Sequence, residues 1–218
     1  MNRLEFDSIE IELGGRRLLA SVYMLCERGT VTALLGRNGC GKSTLLKIVF
    51  GAMNCSQKSI RVDGRNLGMR YLQQRVIAYL PQNGLIPSYL TMRRALSLFR
   101  IPPESIIDVF PEATDFMDLH ASQLSGGYLR IFEILMILFS QAPFCLIDEP
   151  FTGLTPVFID RIKGILLEAK NKKGILVTDH MHKHIEEIAD RLYLLVNGKT
   201  YHIRDREQLI SLGYLNHL

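Results

Sequence analysis

No pair of cysteines in this chain has the C-x-x-C spacing of a metal site or redox centre; Cys26, Cys40, Cys55 and Cys145 are scattered along it. That argues against a disulfide framework and leaves reduced, mostly buried thiols of a cytosolic protein as the reading. An apolar run long enough for a bilayer is also missing. The longest, Ile134 to Ile147, contains Ser140, Gln141 and Pro143 and falls short of the roughly 20 residues a spanning helix needs. Met1 to Asp7 is charged and has no apolar signal core, so the chain is expected not to be addressed for secretion. Strong charge is lacking too: a net charge of +4 and a pI near 8.9 are mild, and the basic residues are dispersed. No direct nucleic-acid partner is predicted on that basis, while an anionic membrane surface or an acidic partner stays open. Repeats and low-complexity stretches are absent. The triplet Asn54-Cys55-Ser56 fits a glycosylation pattern that has no use in a cytosolic chain.

What is present suits a globular domain: 218 residues, 47% hydrophobic and 22% charged, enough to bury a real core. The most informative stretch is Gly36-Arg37-Asn38-Gly39-Cys40-Gly41-Lys42-Ser43-Thr44, which matches the phosphate-loop pattern G-x-x-x-x-G-K-[ST]. Thr30 to Leu35 before it reads as a buried strand, and Thr44 to Phe50 after it as a helix. A strand, a glycine loop and a helix start converge several backbone N–H groups on one point, and the helix dipole adds to their pull on phosphate. Gly36, Gly39 and Gly41 admit close backbone approach, Lys42 supplies a charge near the terminal phosphates, and Ser43 offers its hydroxyl to Mg²⁺. Cys40 lies in this loop, where amide dipoles are expected to favour its thiolate, so that alkylation blocks nucleotide binding.

Phe6 to Leu13 and Leu18 to Tyr23, separated by Gly14-Gly15, read as a two-stranded antiparallel ribbon. Ser59 to Val62 is a strand ending in the turn Asp63-Gly64, and Val76 to Leu80 is a strand leading into Pro81-Gln82. Between Asn83 and Leu124 four prolines punctuate short helical patterns, among them Thr91 to Phe99 with Thr91 as N-cap; this is read as a small helical insertion. Beyond it the spacing predicts a helix over 128–140, a strand over 144–147, a helix over 157–170, a strand over 175–177 and a helix over 182–189. The alternation implies an α/β fold of parallel β-α units. Leu192 to Val196 and Thr200 to Ile203, joined at Asn197-Gly198, close it as a hairpin.

Two further stretches carry chemistry. The strand Phe144-Cys145-Leu146-Ile147 ends in Asp148-Glu149, and a buried strand seldom finishes on adjacent carboxylates. Asp148 is placed to hold Mg²⁺, and Glu149 to polarise a water for in-line attack on the terminal phosphate. Leu124-Ser125-Gly126-Gly127-Tyr128 is another helix start rich in free amides, where Ser125 can cap the helix and present its hydroxyl to phosphate.

The order phosphate loop, Pro81-Gln82, Leu124 to Gly127, Asp148-Glu149, Asp179-His180 closely resembles the nucleotide-binding subunit of an ABC transporter, over nearly the whole chain. The resemblance implies a P-loop NTPase core with a parallel sheet, an antiparallel β subdomain and a helical insertion. It gives a single domain, with 1–82 and 125–218 as the ATP-binding core and 83–124 as the helical part. It further implies that two such subunits, identical or different, pack head to tail around two ATP molecules, each held by the phosphate loop of one and by Ser125, Gly126 and Gly127 of the other. Gln82 would contact Mg²⁺ and the attacking water, and His180 the γ-phosphate. The expected function is ATP hydrolysis powering transport through a separate integral membrane subunit, at the inner face of the cell membrane. Val177 to His180 and Glu149 to Leu154 look similar to the branched-chain amino-acid and lipopolysaccharide-export branches.

Three positions depart from the family pattern. Tyr128 stands for the usual Gln, Thr155 for an Asp that helps connect the two sites, and Leu13 where an aromatic residue stacks on adenine. ATP over GTP therefore follows from the resemblance alone. A soluble ABC ATPase serving an assembly process, and a weakly hydrolysing regulatory subunit suggested by Tyr128 and Thr155, remain as alternatives.

Overall fold

In the computed structural model, which describes residues 1–68, 75–180 and 182–215 (the His182 side chain excepted), alternating apolar residues organise two sheets. The N-terminal elements are β1 (Arg3–Leu13), β2 (Arg16–Leu19), β3 (Tyr23–Glu27), β4 (Val31–Leu35), α1 (Lys42–Phe50), β5 (Gln57–Val62), β6 (Arg65–Asn66) and β7 (Ile77–Leu80). Then come α2 (Met92–Phe99), α3 (Pro103–Ile107), two 3₁₀ turns (Pro111–Phe116 and Ala121–Gln123) and α4 (Gly126–Phe139). The chain continues through β8 (Phe144–Asp148), α5 (Pro156–Ala169), β9 (Gly174–Asp179), α6 (His182–Glu186), β10 (Arg191–Val196), β11 (Lys199–Ile203) and α7 (Arg206–Ser211).

Six strands form the central sheet in the order β11-β10-β4-β9-β8-β7, parallel from β10 to β7. Its inner strands are apolar almost throughout, as strands covered on both faces must be. The two-residue period divides them cleanly. Val31, Ala33 and Leu35 of β4, with Cys145 and Ile147 of β8, face the core shared with α4 and α5. Leu34, Phe144 and Leu146 face the core shared with α1 and the antiparallel sheet. In that second sheet β1 is central, pairing with β2, β3 and β5. The expected ribbon is thus one part of a five-stranded sheet, because the alternation of β1 was legible while its partners β3 and β5 lie farther along the chain.

Two turns follow their sequence chemistry. Asn197 and Gly198 both take positive φ between β10 and β11, and Asp63-Gly64 does the same between β5 and β6. Thr91 caps α2 by accepting from the Arg94 amide. Met92, Leu96, Ile106, Phe110 and Phe116, all from 83–124, are buried with the α4 side of the core. The helix expected over 182–189 is shorter, ending at Glu186, where Ile188 and Ala189 turn back onto the Ile185 carbonyl. Among the described residues no helix is long and apolar enough to cross a membrane.

The parallel order β4-β9-β8-β7 has one further effect. The carboxyl ends of these four strands lie side by side and lead into the phosphate loop, His180, Glu149 and Gln82 respectively. Ligands of open α/β sheets bind at this edge.

Candidate nucleotide site

Gly39 and Gly41 hold φ of 77° and 111°, and α1 begins at Lys42 directly after them, so the helix start is aimed at the loop's centre. Lys42 is buried, its ammonium donating to the Gly36 carbonyl at 2.7 Å and the Arg37 carbonyl at 3.3 Å. Those two bonds keep the charge inside the loop. Gly39, Gly41, Lys42, Ser43 and Thr44 form one side of a cavity of about 410 Å³; Gln82, Glu149, Thr152 and His180 form the other.

Glu149 is the hub of that opposite wall. Its Oε2 accepts from Gln82 Nε2 at 2.8 Å and from the Thr152 hydroxyl at 3.1 Å, and its Oε1 lies 3.4 Å from His180 Nδ1. Its backbone has φ of 49°, a left-handed conformation that costs a non-glycine residue about 1–3 kcal/mol. The surroundings hold it there: its amide donates to the carbonyl and the hydroxyl oxygen of Thr178, both at 3.1 Å. The same Thr178 hydroxyl donates to Asp148 Oδ1 at 2.6 Å. Asp148 is buried behind the cavity wall, with the Tyr79 hydroxyl 3.4 Å from its Oδ2. Burial and the Asp148 charge both raise the Tyr79 phenol, which therefore remains a donor.

A second layer escaped the sequence reading. Arg130 is buried in α4, and its guanidinium donates to the carbonyls of Pro81, Asp148 and Glu149. Glu133, three residues on and equally buried, lies 3.6 Å from Arg130 and accepts from the amides of Leu85 and Ile86. Arg130 and Glu133 thus join the segment that follows β7 to the end of β8. The signal was present in the sequence as an Arg and a Glu three apart in an otherwise apolar helix.

Ser125, Gly126 and Gly127 are not part of this cavity. Ser125 caps α4 by accepting from the Tyr128 amide at 3.4 Å, and both it and Gly126 are exposed. A Cβ on Gly127 would come within 3.1 Å of the Phe158 ring, so the packing of α5 against α4 calls for glycine there. Tyr128 points away from these amides into an aromatic cluster, with ring centroids 6.0 Å from Phe110, 5.6 Å from Phe116 and 5.2 Å from Phe158.

One expectation is corrected. The Cys40 thiol is pushed up from its ordinary range, not down, because half-burial outweighs the charge of Lys42 and the nearby amides. Its sulfur packs so closely on Gly36 that a Cβ there would lie 2.6 Å away. The Arg37 side chain also turns from the phosphate cavity, donating to the Gly213 carbonyl at 2.8 Å. Beside the loop, a wider cavity of about 620 Å³ is lined by Arg16, Arg17, Leu18, Arg37, Asn38 and Tyr214, among others. Leu13 is exposed.

Residues 19–152 match the family model described as ABC transporter. The chain is 29% identical to the lipopolysaccharide export system ATP-binding protein of Haemophilus influenzae, over 97% of this chain and 94% of that protein. It is 31% identical to a probable branched-chain amino acid transport ATP-binding protein of Archaeoglobus fulgidus, over 80% of each. Among solved structures, an ATP-binding subunit of an ABC transporter superposes with a TM-score of 0.83 at 26% identity, over 96% of this chain and 93% of that one.

Proposed function

The chain belongs to the ABC transporter family as an ATP-binding subunit, and from that premise we propose that it hydrolyses ATP to power transport through a separate integral membrane subunit. The observation that carries this reading is the meeting of Gln82, Glu149 and His180 across one cavity from the phosphate loop.

In the proposed mechanism the loop amides from Gly36 to Thr44, with Lys42, bind the phosphates, and Glu149 takes the proton of the attacking water. Gln82, bonded to Glu149, orients that water and His180 steadies the terminal phosphate. Ser43 and Gln82 line the cavity and Asp148 lies buried behind its wall; their oxygens are hard ligands of the kind that would hold Mg²⁺, directly or, for Asp148, through water. When bound, Mg²⁺ would neutralise charge on the phosphates. Closure of two subunits, identical or different, would bring Ser125, Gly126 and Gly127 of one against the nucleotide of the other; the exposure of Ser125 and Gly126 supports this.

Residues 83–124 are proposed as a helical subdomain that meets the membrane partner. An apolar groove lined by Phe50, Leu85, Leu98, Phe99 and Ile137 supports a docking role, since Leu85 in its wall follows Gln82 by three residues. The subunit would then sit on the inner face of the membrane through its partner. Affinity capture of the tagged chain from detergent-solubilised membranes tests the reading. The expected result is co-purification of one integral membrane protein and ATP turnover that its presence alters. A soluble scaffold captured in its place would overturn transport, and Lys42→Ala with unchanged ATP affinity would overturn the loop assignment.

A further inference from the structure

The last described residues lie beside the phosphate loop, where Leu212, Gly213 and Tyr214 line the wider cavity together with Arg37 and Asn38. After α7, Gly213 takes φ of 69° and the chain turns back, the Tyr214 amide donating to the Leu209 carbonyl at 2.9 Å. Leu209 is buried, and Leu212, Tyr214 and Leu215 pack against the same core. Two bonds then run from this turn to the two loops that flank the site. Arg37, the second residue of the phosphate loop, donates to the Gly213 carbonyl at 2.8 Å, and the Tyr214 hydroxyl donates to the His180 carbonyl at 3.0 Å. Residues 176 and 34 positions apart are joined by this one turn.

We propose that Tyr214 is a positioning residue for His180, and that the C-terminal turn is a strap fixing the phosphate loop and the turn after β9 relative to each other. The inference rests on the ATPase reading above. His180 Nδ1 stands 3.4 Å from Glu149, a separation at the outer limit of a useful contact, so small drifts of the His180 backbone decide whether it is made. β9 ends at Asp179, leaving the His180 carbonyl beyond the regular ladder. Tyr214 gives it a donor on a rigid, half-buried ring packed against the core. Burial, and after it the charge of Asp179, push the phenol up to about 12, so the hydroxyl carries its proton throughout the physiological range. The Gly213 carbonyl occupies Arg37 in the same way, which ties the loop's N-terminal corner to the same turn.

The test compares wild type, Tyr214→Phe, His180→Ala and the double variant. Phe keeps the ring in its packing and removes only the hydroxyl. Hydrogen exchange read by mass spectrometry is expected to accelerate in the segment around His180 and to stay unchanged in β4 and β8. For Tyr214→Phe, kcat is expected to fall about 3- to 10-fold, the worth of one net hydrogen bond expressed as a rate. KM for ATP should hold within about twofold, and adding Tyr214→Phe to His180→Ala should cost nothing more. Exchange that does not change overturns the strap whether or not the enzyme turns over. An active wild type whose Tyr214→Phe variant keeps full kcat, or loses it additively with His180→Ala, overturns the positioning role. A wild type without turnover overturns the ATPase reading itself.

Discussion

The two portions of α4 differ sharply in what surrounds them. At its N-terminus Ser125 and Gly126 are exposed, and the cap is one long hydrogen bond of 3.4 Å. A turn later Arg130 and Glu133 are buried and bonded to carbonyls and amides of the β7 and β8 ends. One helix therefore holds a finished half of a site and an unfinished one. Charged groups in the finished half have their partners within the fold, as buried charges must. In the closed pair proposed above, the open half would offer its amides and hydroxyl to the nucleotide of the other subunit.

The contrast can be broken most severely at the proposed catalytic carboxylate. Glu149→Gln is expected to retain ATP binding and lose about 10²–10⁴-fold in turnover, the span of a positioned general base. Undiminished turnover in a steady-state assay would remove Glu149 from that role. Next in size is Arg130→Met, which deprives three carbonyls of a donor and leaves Glu133 without its ion pair. Breaking one partner of a buried pair costs about 3–5 kcal/mol, to be read from urea unfolding midpoints. A loss below about 1 kcal/mol would mean the finished half is no stiffer than the open one.

Ser125→Ala sharpens the contrast from the other side. Losing the cap should cost about 0.5–1 kcal/mol of stability, at the low end because the bond is long. Turnover should fall by more than that loss explains; equal, small effects on both would make Ser125 a cap and nothing else. The smallest effect concerns Cys40. With its thiol raised by burial, alkylation at pH 7 should be slower than that of a free thiol, and should speed up as pH climbs above the ordinary thiol range and the thiolate forms. ATP should protect it. Labelling faster than a free thiol at neutral pH would restore the original expectation of a thiolate.

Features that depend on neighbours in sequence were legible without coordinates. The phosphate loop, the Ser125 cap, the Asn197-Gly198 turn and the apolar strand ending at Asp148 each declare themselves within a few residues. Partners brought together by the sheet order did not. Thr178 meets Glu149 across 29 positions and Arg130 reaches Pro81 across 49, and no local pattern marks either pairing. Cys40 shows a different failure, because loop dipoles are visible in the motif while the packing of its sulfur on Gly36 is not. Tyr128 stands between these cases: its departure from the family pattern was plain, but its direction, into Phe110, Phe116 and Phe158, belongs to the tertiary structure.

The ties of α4 also have a kinematic consequence. Glu133 grips the segment after Gln82, whereas Ser125 lies eight residues toward the free tip, about 12 Å along the axis at 1.5 Å per residue. A tilt of about 10° about the Glu133 anchorage would carry that tip roughly 2 Å, comparable to the difference between a hydrogen bond made and one lost. The aromatic cluster around Tyr128 stiffens the arm over that length. If the proposed membrane partner presses on the Leu85–Ile86 backbone, gearing of this kind would give a larger stroke at the exposed Ser125 end.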